Sequence, residues 1–337
     1  MIMMKAQTAC VFAAVVVLTP LAARAADKPI VFGLPGNPPV FLSVQEYVAA
    51  EAGLFRKYGV NVQLQPFDTG VAAARAVGAG DIEFTVSPTP VIVNLVGNSK
   101  VPLVGIYGLE NPDWLIGASD PAIKTCKDLI GQSIGIDAPG GARSVALRQM
   151  TAPPPCSLQM EDIKQVALGS NTSGAMMAGQ IKVGVLHLDD LAVIEDQLGK
   201  PINTVITLKR VKPISHYNLF AVRTDTLARD RDRYVRIIAA LIDAEAFMRE
   251  SKNWDRVAKI ATATGRSPSE AKEALKRYLE FEFWPNGNDG LDERKIEAEI
   301  KAQVAVGGIQ QGKEAPTYQK LIDRSVWRDA VALTKKN

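Results

Sequence analysis

The stretch Pro139-Gly140-Gly141-Ala142-Arg143-Ser144 carries residue types suited to holding a small charged molecule. Glycines at the mouth of a helix let backbone N–H groups approach a ligand, and the positive end of the helix dipole favours an anion. Arg143 adds a planar fork that grips a carboxylate or sulfonate at two points. The bland alternative is a tight turn with a solvated arginine. Ser170-Asn171-Thr172 lies at the next strand-to-helix turn, where it either caps the helix or meets the same molecule. His187-Leu188-Asp189 ends the strand after that, and His187 reads equally well as a ligand contact or as a satisfied structural histidine. In the first part of the chain, Gly36 and Asn37 follow one strand, and Ser87 and Thr89 follow another. Tyr107, Trp114 and Phe41 offer apolar or stacking walls, although aromatic residues are more often core.

Other chemistry is excluded by composition. Only two histidines, His187 and His216, are present in 337 residues, so a histidine-based metal cluster is out of reach. No HExxH, CxxC, GxSxG or phosphate-loop spacing occurs, and neither a metal nor another cofactor is expected.

The elements that position these residues alternate. Between residues 47 and 87, apolar residues at helical spacing end at Gly59, and Val60, Val62, Leu64 and Phe67 follow as a strand. A small-faced helix then runs from Thr69-Gly70 to Gly80, and a further strand covers 81–86. Strands alternating with helices of about ten residues signal a parallel sheet with helices on its faces. A helix over 90–96, capped by Ser87, and a strand over 101–107 continue the pattern. A second set begins at Trp114 with strands over 114–118, 133–137, 164–168, 183–187 and 204–208, separated by helices near 142–150, 173–180 and 191–198. A strand over 216–223 reads as a return to the first set. The remainder is helical, with helices over 231–251, 254–264, 268–281, 292–306 and 316–334, and Ser267-Pro268-Ser269-Glu270 is a strong helix start. The pattern predicts a discontinuous two-lobed α/β protein with a helical C-terminal part. Residues 26–113 and 216–337 form one lobe, 114–215 the other, and crossings near 111–114 and 212–217 join them. Ligands of open α/β sheets bind outside the carboxyl ends of the strands, so the cleft between lobes is the expected site.

Residues 1–25 read as a secretory signal with Lys5 in the positive region, an apolar run from Val11 to Leu18, and Ala23-Arg24-Ala25 as the cleavage site. Cleavage is expected after Ala25, with a soluble periplasmic product. Losing Lys5 and Arg24 from 39 basic residues against 36 acidic ones leaves a net charge of about +1. That balance argues against nucleic acid or a membrane surface as partner. Cys126 and Cys156 survive cleavage. In an oxidising compartment an even pair suggests one disulfide, and both residues reach the same end of the second sheet; two unrelated thiols are the alternative.

Ala50, Gly53-Leu54-Phe55 and Gly59-Val60-Asn61-Val62, followed by Gly80-Asp81-Ile82-Glu83-Phe84, resemble the periplasmic solute-binding proteins of ABC importers. The branch most similar is the nitrate/sulfonate/taurine type, which includes pyrimidine-precursor binders. Asp128-Leu129-Ile130-Gly131 through Ile134-Gly135 resembles the opening of that family's second lobe. The run from Ala178 to Gly184 resembles a later step, with Lys182 in place of the usual acid. The resemblance implies a type II-like two-lobed binding fold and a monomer. It also implies a small organic ligand, expected to be a sulfonate- or carboxylate-like anion, delivered to an inner-membrane permease and its ATPase. Gly36, Asn37, Phe41, Ser87, Thr89, Tyr107, Gly140, Gly141, Ala142, Arg143, Ser144, Asn171, Thr172, His187 and Asp189 are the candidate contacts. A sulfinate-cleaving enzyme of similar fold and a ligand sensor for a signalling receptor remain open as alternatives. Cys126 and Cys156 lie at the far ends of their strands, which counts against a cysteine nucleophile in the cleft.

Overall fold

The structure is a computed structural model that describes residues 28–169 and 171–336. The expected signal segment and Ser170 therefore lie outside the described residues. In chain order the strands are β1 (Ile30–Pro35), β2 (Val62–Phe67), β3 (Phe84–Pro88), β4 (Leu103–Leu109), β5 (Leu115–Ala118), β6 (Ser133–Ile136), β7 (Lys164–Ala167), β8 (Val183–Leu186), β9 (Asn203–Thr207) and β10 (Asn218–Arg223). The helices are α1 (Val44–Glu51), α2 (Leu54–Lys57), α3 (Gly70–Ala79), α4 (Thr89–Ser99), α5 (Ala142–Thr151), α6 (Thr172–Met177), α7 (Leu188–Leu198), α8 (Leu208–Val211), α9 (Thr224–Arg249), α10 (Trp254–Ala261), α11 (Pro268–Glu280), α12 (Glu293–Ala305), α13 (Tyr318–Leu321) and α14 (Ser325–Thr334).

Two five-stranded sheets result, ordered β2-β1-β3-β10-β4 and β7-β6-β8-β5-β9. They are mixed rather than parallel. β1 pairs in parallel with β2 and β3, as β6 does with β7 and β8, while β10 and β5 run antiparallel to both their neighbours. Each reversed strand is the one by which the chain enters a sheet from the other. A segment that crosses between lobes arrives without a helical crossover of its own, so it can pair only in the opposite direction.

Local chemistry explains most boundaries. Gly53 adopts φ +77°, a conformation costly for other residues, and so divides the helical stretch expected to end at Gly59 into α1 and α2. The Thr69 hydroxyl accepts from the Ala72 amide and starts α3. Ser267 starts α11 as a capping box with Glu270. Ser87, by contrast, is not the cap of α4. It belongs to β3, its hydroxyl donates to the Gly70 carbonyl at 2.8 Å, and Pro88 occupies the cap position. The expected last helix is split because Ile322 bridges Gly105 of β4 and is held extended between α13 and α14.

Both sheets bury apolar faces, and one core cluster runs on from the first lobe through Leu115 and Leu186 of the second. In the first lobe Phe32, Phe84, Phe220, Tyr107 and Tyr234 pack as a linked aromatic set, with Phe32 and Phe84 ring centroids 4.5 Å apart. Tyr234, Ile237, Ile238, Leu241 and Ala244 form the buried stripe of α9, spaced at helical intervals. In the second lobe Ile116, Ile134, Ile136, Val183 and Val185 pack against Leu147 and Met150 of α5. Burying each such side chain is worth about 1.5–3 kcal/mol. Cys126 and Cys156 form a disulfide beside this second core, closing a segment with a sequence separation of 30.

Candidate functional site

A cavity of about 560 Å³ lies where the turns after β1, β7 and β8 face α11. Gly36, Asn37 and Phe41 come from the first lobe, as do Arg266 and Tyr278 of the helical part. Arg143, Asn171, His187, Asp189 and Asp190 come from the second. Asp113, on the crossing between lobes, lies in the same wall. The cavity therefore sits outside the carboxyl ends of β1, β7 and β8, where open sheets present backbone groups and helix starts.

The side chains around it form one connected network. Asp113 is 2% exposed, and its Oδ2 accepts from the Tyr278 hydroxyl at 2.5 Å and from His187 Nδ1 at 2.9 Å. Because a carboxylate only accepts, His187 carries its proton on Nδ1. The Tyr278 hydroxyl also lies 3.1 Å from Asp189 Oδ1. Arg266 pairs with Asp189 and, at 3.0 Å, with Asp190. Asp190 accepts from Arg143 at 3.2 Å through both terminal nitrogens, from the Ser173 hydroxyl at 2.9 Å, and from the His187 amide at 3.0 Å. Arg143 also donates to the Val185 carbonyl. Trp114 closes one side, its ring centroid 3.7 Å from that of His187, with the Arg143 guanidinium 5.7 Å from the indole.

Burial and charge set opposite pressures on these groups. Burial pushes Asp190 upward, but the charges of Arg143, His187 and Arg266 prevail and hold its carboxyl far below the ordinary range. Burial likewise raises Asp113, while the charge and hydrogen bond of His187, with the Tyr278 hydrogen bond, bring it below its ordinary value. For His187, burial favours the neutral ring and the Asp113 carboxylate overcomes it, so its pKa is raised.

Of the contacts expected from sequence, Gly36, Asn37, Phe41, Arg143, Asn171, His187 and Asp189 line this cavity. Gly140, Gly141 and Ala142 do not. They line a second cavity of about 380 Å³ on the other side of Trp114, with Pro88, Pro90, Val145, His216 and Tyr217. The start of α5 therefore lies between the two cavities, its arginine facing one and its glycines the other. Its helix terminus is also occupied by the chain itself. The Asp137 carboxylate accepts from the amides of Arg143 at 3.2 Å and Ser144 at 3.4 Å. A Cβ on Gly141 would meet that carboxylate at 2.5 Å, so this glycine makes room for Asp137 rather than for a ligand.

Five further candidates line neither cavity. Ser87 donates to Gly70, and the Thr89 hydroxyl lies 2.7 Å from His216 Nδ1. Tyr107 is in the aromatic core, edge-on to Phe220 at 5.1 Å. The Ser144 hydroxyl donates to Gln165 Oε1 at 2.8 Å. The Thr172 methyl packs against Gly135 and Gly184. In each case a local bond or the opposite strand face takes the side chain away. Asp113, Asp190, Arg266 and Tyr278 went unnoticed in the sequence. Asp190 reads there as an ordinary acid in a first helical turn and Tyr278 as part of an apolar stripe.

The two α/β lobes, their two crossings and the cavity between them define the periplasmic binding protein fold. The ligand-binding component of an ABC-type import system from Staphylococcus aureus superposes with TM-score 0.65 at 12% identity, covering 90% of this chain and 99% of that one. The periplasmic aliphatic sulphonate binding protein SsuA from Escherichia coli gives 0.63 at 14% identity, covering 87% and 97%. Residues 42–253 match the NMT1/THI5-like family model, and the chain belongs to that family. A Brucella abortus (strain 2308) protein, provisionally assigned as a binding protein, is 22% identical over 202 residues, 59% of this chain. The match spans 61% of that relative's length.

Proposed function

We propose that the chain is the periplasmic solute-binding component of an ABC import system, holding one small organic molecule between its lobes and presenting it to a membrane permease. The observation that carries this reading is the cavity walled by both lobes. Residues 26–113 with 216–337 act as one lobe and 114–215 as the other, and residues 1–25 direct export. Arg266 and Tyr278 of the first lobe reach Asp189, and Arg277 reaches Glu195, across the cleft. Such bonds form as lobes close and part as they open, which is how a hinged carrier couples capture to release.

The family relationship and the shared fold support this reading over catalysis. Cys126 and Cys156 are bonded to each other and neither lines the cavity, so they supply no nucleophile there. The test is calorimetric titration of the purified exported protein against small sulfonates, carboxylates and amines, with mass analysis of the ligand afterwards. One molecule bound per chain and recovered unchanged is the expected result. Steady consumption of the ligand would overturn it.

A further inference from the structure

The second cavity, of about 380 Å³, is also walled by both lobes. Pro90 and Val91 come from the first, Trp114 and Leu208 from the second, and Lys212 and Tyr217 from the return crossing. Its size falls among small-molecule pockets, which run from about 300 to 1,000 Å³. Most of its wall is apolar, and several of its polar groups are satisfied by the chain itself. The Ser215 hydroxyl donates to the Lys212 carbonyl at 2.9 Å, and the His216 ring is held between Thr89 and the Gly290 carbonyl, each at 2.7 Å.

Two charged groups on the same wall are not satisfied. Glu299 of α12 is 7% exposed, and its Oε1 accepts from Gln303 at 3.1 Å. Its Oε2 has no partner among the described residues and keeps solvent access where Glu299 lines the cavity. The Lys212 ammonium, on the same wall, has neither a hydrogen bond nor an ion pair among the described residues. Burial raises the Glu299 carboxyl above its ordinary value, while the Lys212 charge and the Gln303 hydrogen bond oppose that rise. The two residues therefore act on one another without pairing. A deeply buried carboxylate with an oxygen unpaired is costly, and an incoming ammonium removes the cost. An ammonium alone would be repelled by Lys212, and a carboxylate alone by Glu299. A molecule that carries both charges and an apolar remainder complements the two charges and the wall together.

We propose that the second cavity binds a free α-amino acid with an apolar side chain, its ammonium on Glu299 Oε2, its carboxylate on Lys212 and its side chain among Trp114, Pro90, Val91, Leu208 and Tyr217. An α-amino acid holds both charges on one carbon, which leaves its whole side chain for the apolar wall. Lys212 and Glu299, close enough for one charge to act on the other, fall within reach of one such head group. This goes beyond the solute-binding reading, because the first cavity keeps its own occupant.

Calorimetric titration of the full exported protein with L-phenylalanine and L-leucine tests the site. Each is compared with the analogue that lacks its ammonium, 3-phenylpropionate or 4-methylpentanoate, and with the one that lacks its carboxylate, 2-phenylethylammonium or 3-methylbutylammonium. At least one amino acid should bind one per chain, at least tenfold tighter than either of its analogues. Glu299→Gln should remove the advantage over the analogue without ammonium, and Lys212→Met the advantage over the analogue without carboxylate. If Glu299→Gln fails to fold, Lys212→Met and the analogue ratios on the unmodified protein decide. The proposal is overturned if neither amino acid binds, or if the analogues bind as tightly as their parents. Amino-acid binding that is unchanged in the folded variants overturns this site and leaves the carrier reading intact. Consumption of the bound amino acid would instead overturn the carrier reading and leave the site standing.

Discussion

The two cavities that flank Trp114 are built from neighbouring residues and differ in kind. The first is walled by charges that satisfy one another across the lobes. The second is walled by Pro88, Pro90, Val91 and Val145, with His216 at its edge. The two histidines show the difference most clearly. His187 faces Asp113 and is biased toward its protonated form. His216 is lowered to about 4 by burial, with Nε2 donating to the Gly290 carbonyl and Nδ1 accepting from Thr89. Burial acts on both rings alike. A partner carboxylate reverses the outcome in one cavity and a backbone carbonyl does not in the other, so local partners rather than depth decide which cavity is charged.

The largest expected effect breaks the charged side. Asp190→Ala removes the common partner of Arg143 and Arg266 and should cost about 3–5 kcal/mol in denaturant unfolding, the usual result of orphaning buried charge. A loss below about 1 kcal/mol would mean that water compensates the guanidinium groups and that the network is not the structural element described here.

Next is the support under α5, the helix that separates the cavities. Cys156 follows that helix closely, and its bond to Cys126 closes a segment with a sequence separation of 30. Loop-closure entropy then predicts that Cys156→Ser lowers stability by about 3–4 kcal/mol. Thiol counting on denatured, unreduced protein checks the pairing independently, two free thiols being the contrary result.

The histidines should titrate in opposite senses. For His216 the folded pKa lies below the unfolded value near 6.5, so its contribution is full above about pH 6.5 and is lost as pH falls toward 4, on the order of 3 kcal/mol. For His187 the folded pKa is raised, so its contribution is full below about pH 6.5 and is lost as pH rises through the folded value. Its partner Asp113, being lowered, contributes above about pH 3.9 and loses that contribution as pH falls through its folded value. The pair is therefore most stabilising between about pH 4 and 6.5. Thermal midpoints across pH 4–9 should show a shallower acid limb in His216→Gln and a flatter alkaline limb in His187→Gln. The same curve for both variants would dissolve the contrast. The smallest effect sharpens it from the apolar side. Val145 is 47% exposed, and Val145→Ser should change stability by no more than about 0.5 kcal/mol and leave solute affinity alone. A changed affinity would tie the second cavity to the first.

The fold was largely legible. Thr69 and Ser267 start helices where their side chains can cap them, Gly80 ends α3 in the left-handed region, and the stripe on α9 faces the core as its spacing requires. The site was less so. Seven of the expected contacts share the first cavity because they follow strands at the same end of the sheets. Ser87 lies at the end of β3 and Thr89 follows it, yet a hydrogen bond draws each elsewhere. Nothing in a linear sequence distinguishes these outcomes, since the deciding partners, Gly70 and His216, are 17 and 127 residues away.

What the sequence determined by itself was local: periodicity, caps, turns and cysteine number are short-range properties, and together they dictate two α/β lobes joined twice. What only the tertiary structure decided was which charges meet. Arg143 reaches Asp190 across 47 residues, Arg266 reaches it across 76, and Tyr278 reaches Asp113 across 165. A side chain's charge is written in the chain, but whether that charge is free for a ligand depends on neighbours that only folding brings within hydrogen-bonding distance. In this molecule folding occupied the arginine fork and the helix terminus with the chain's own carboxylates.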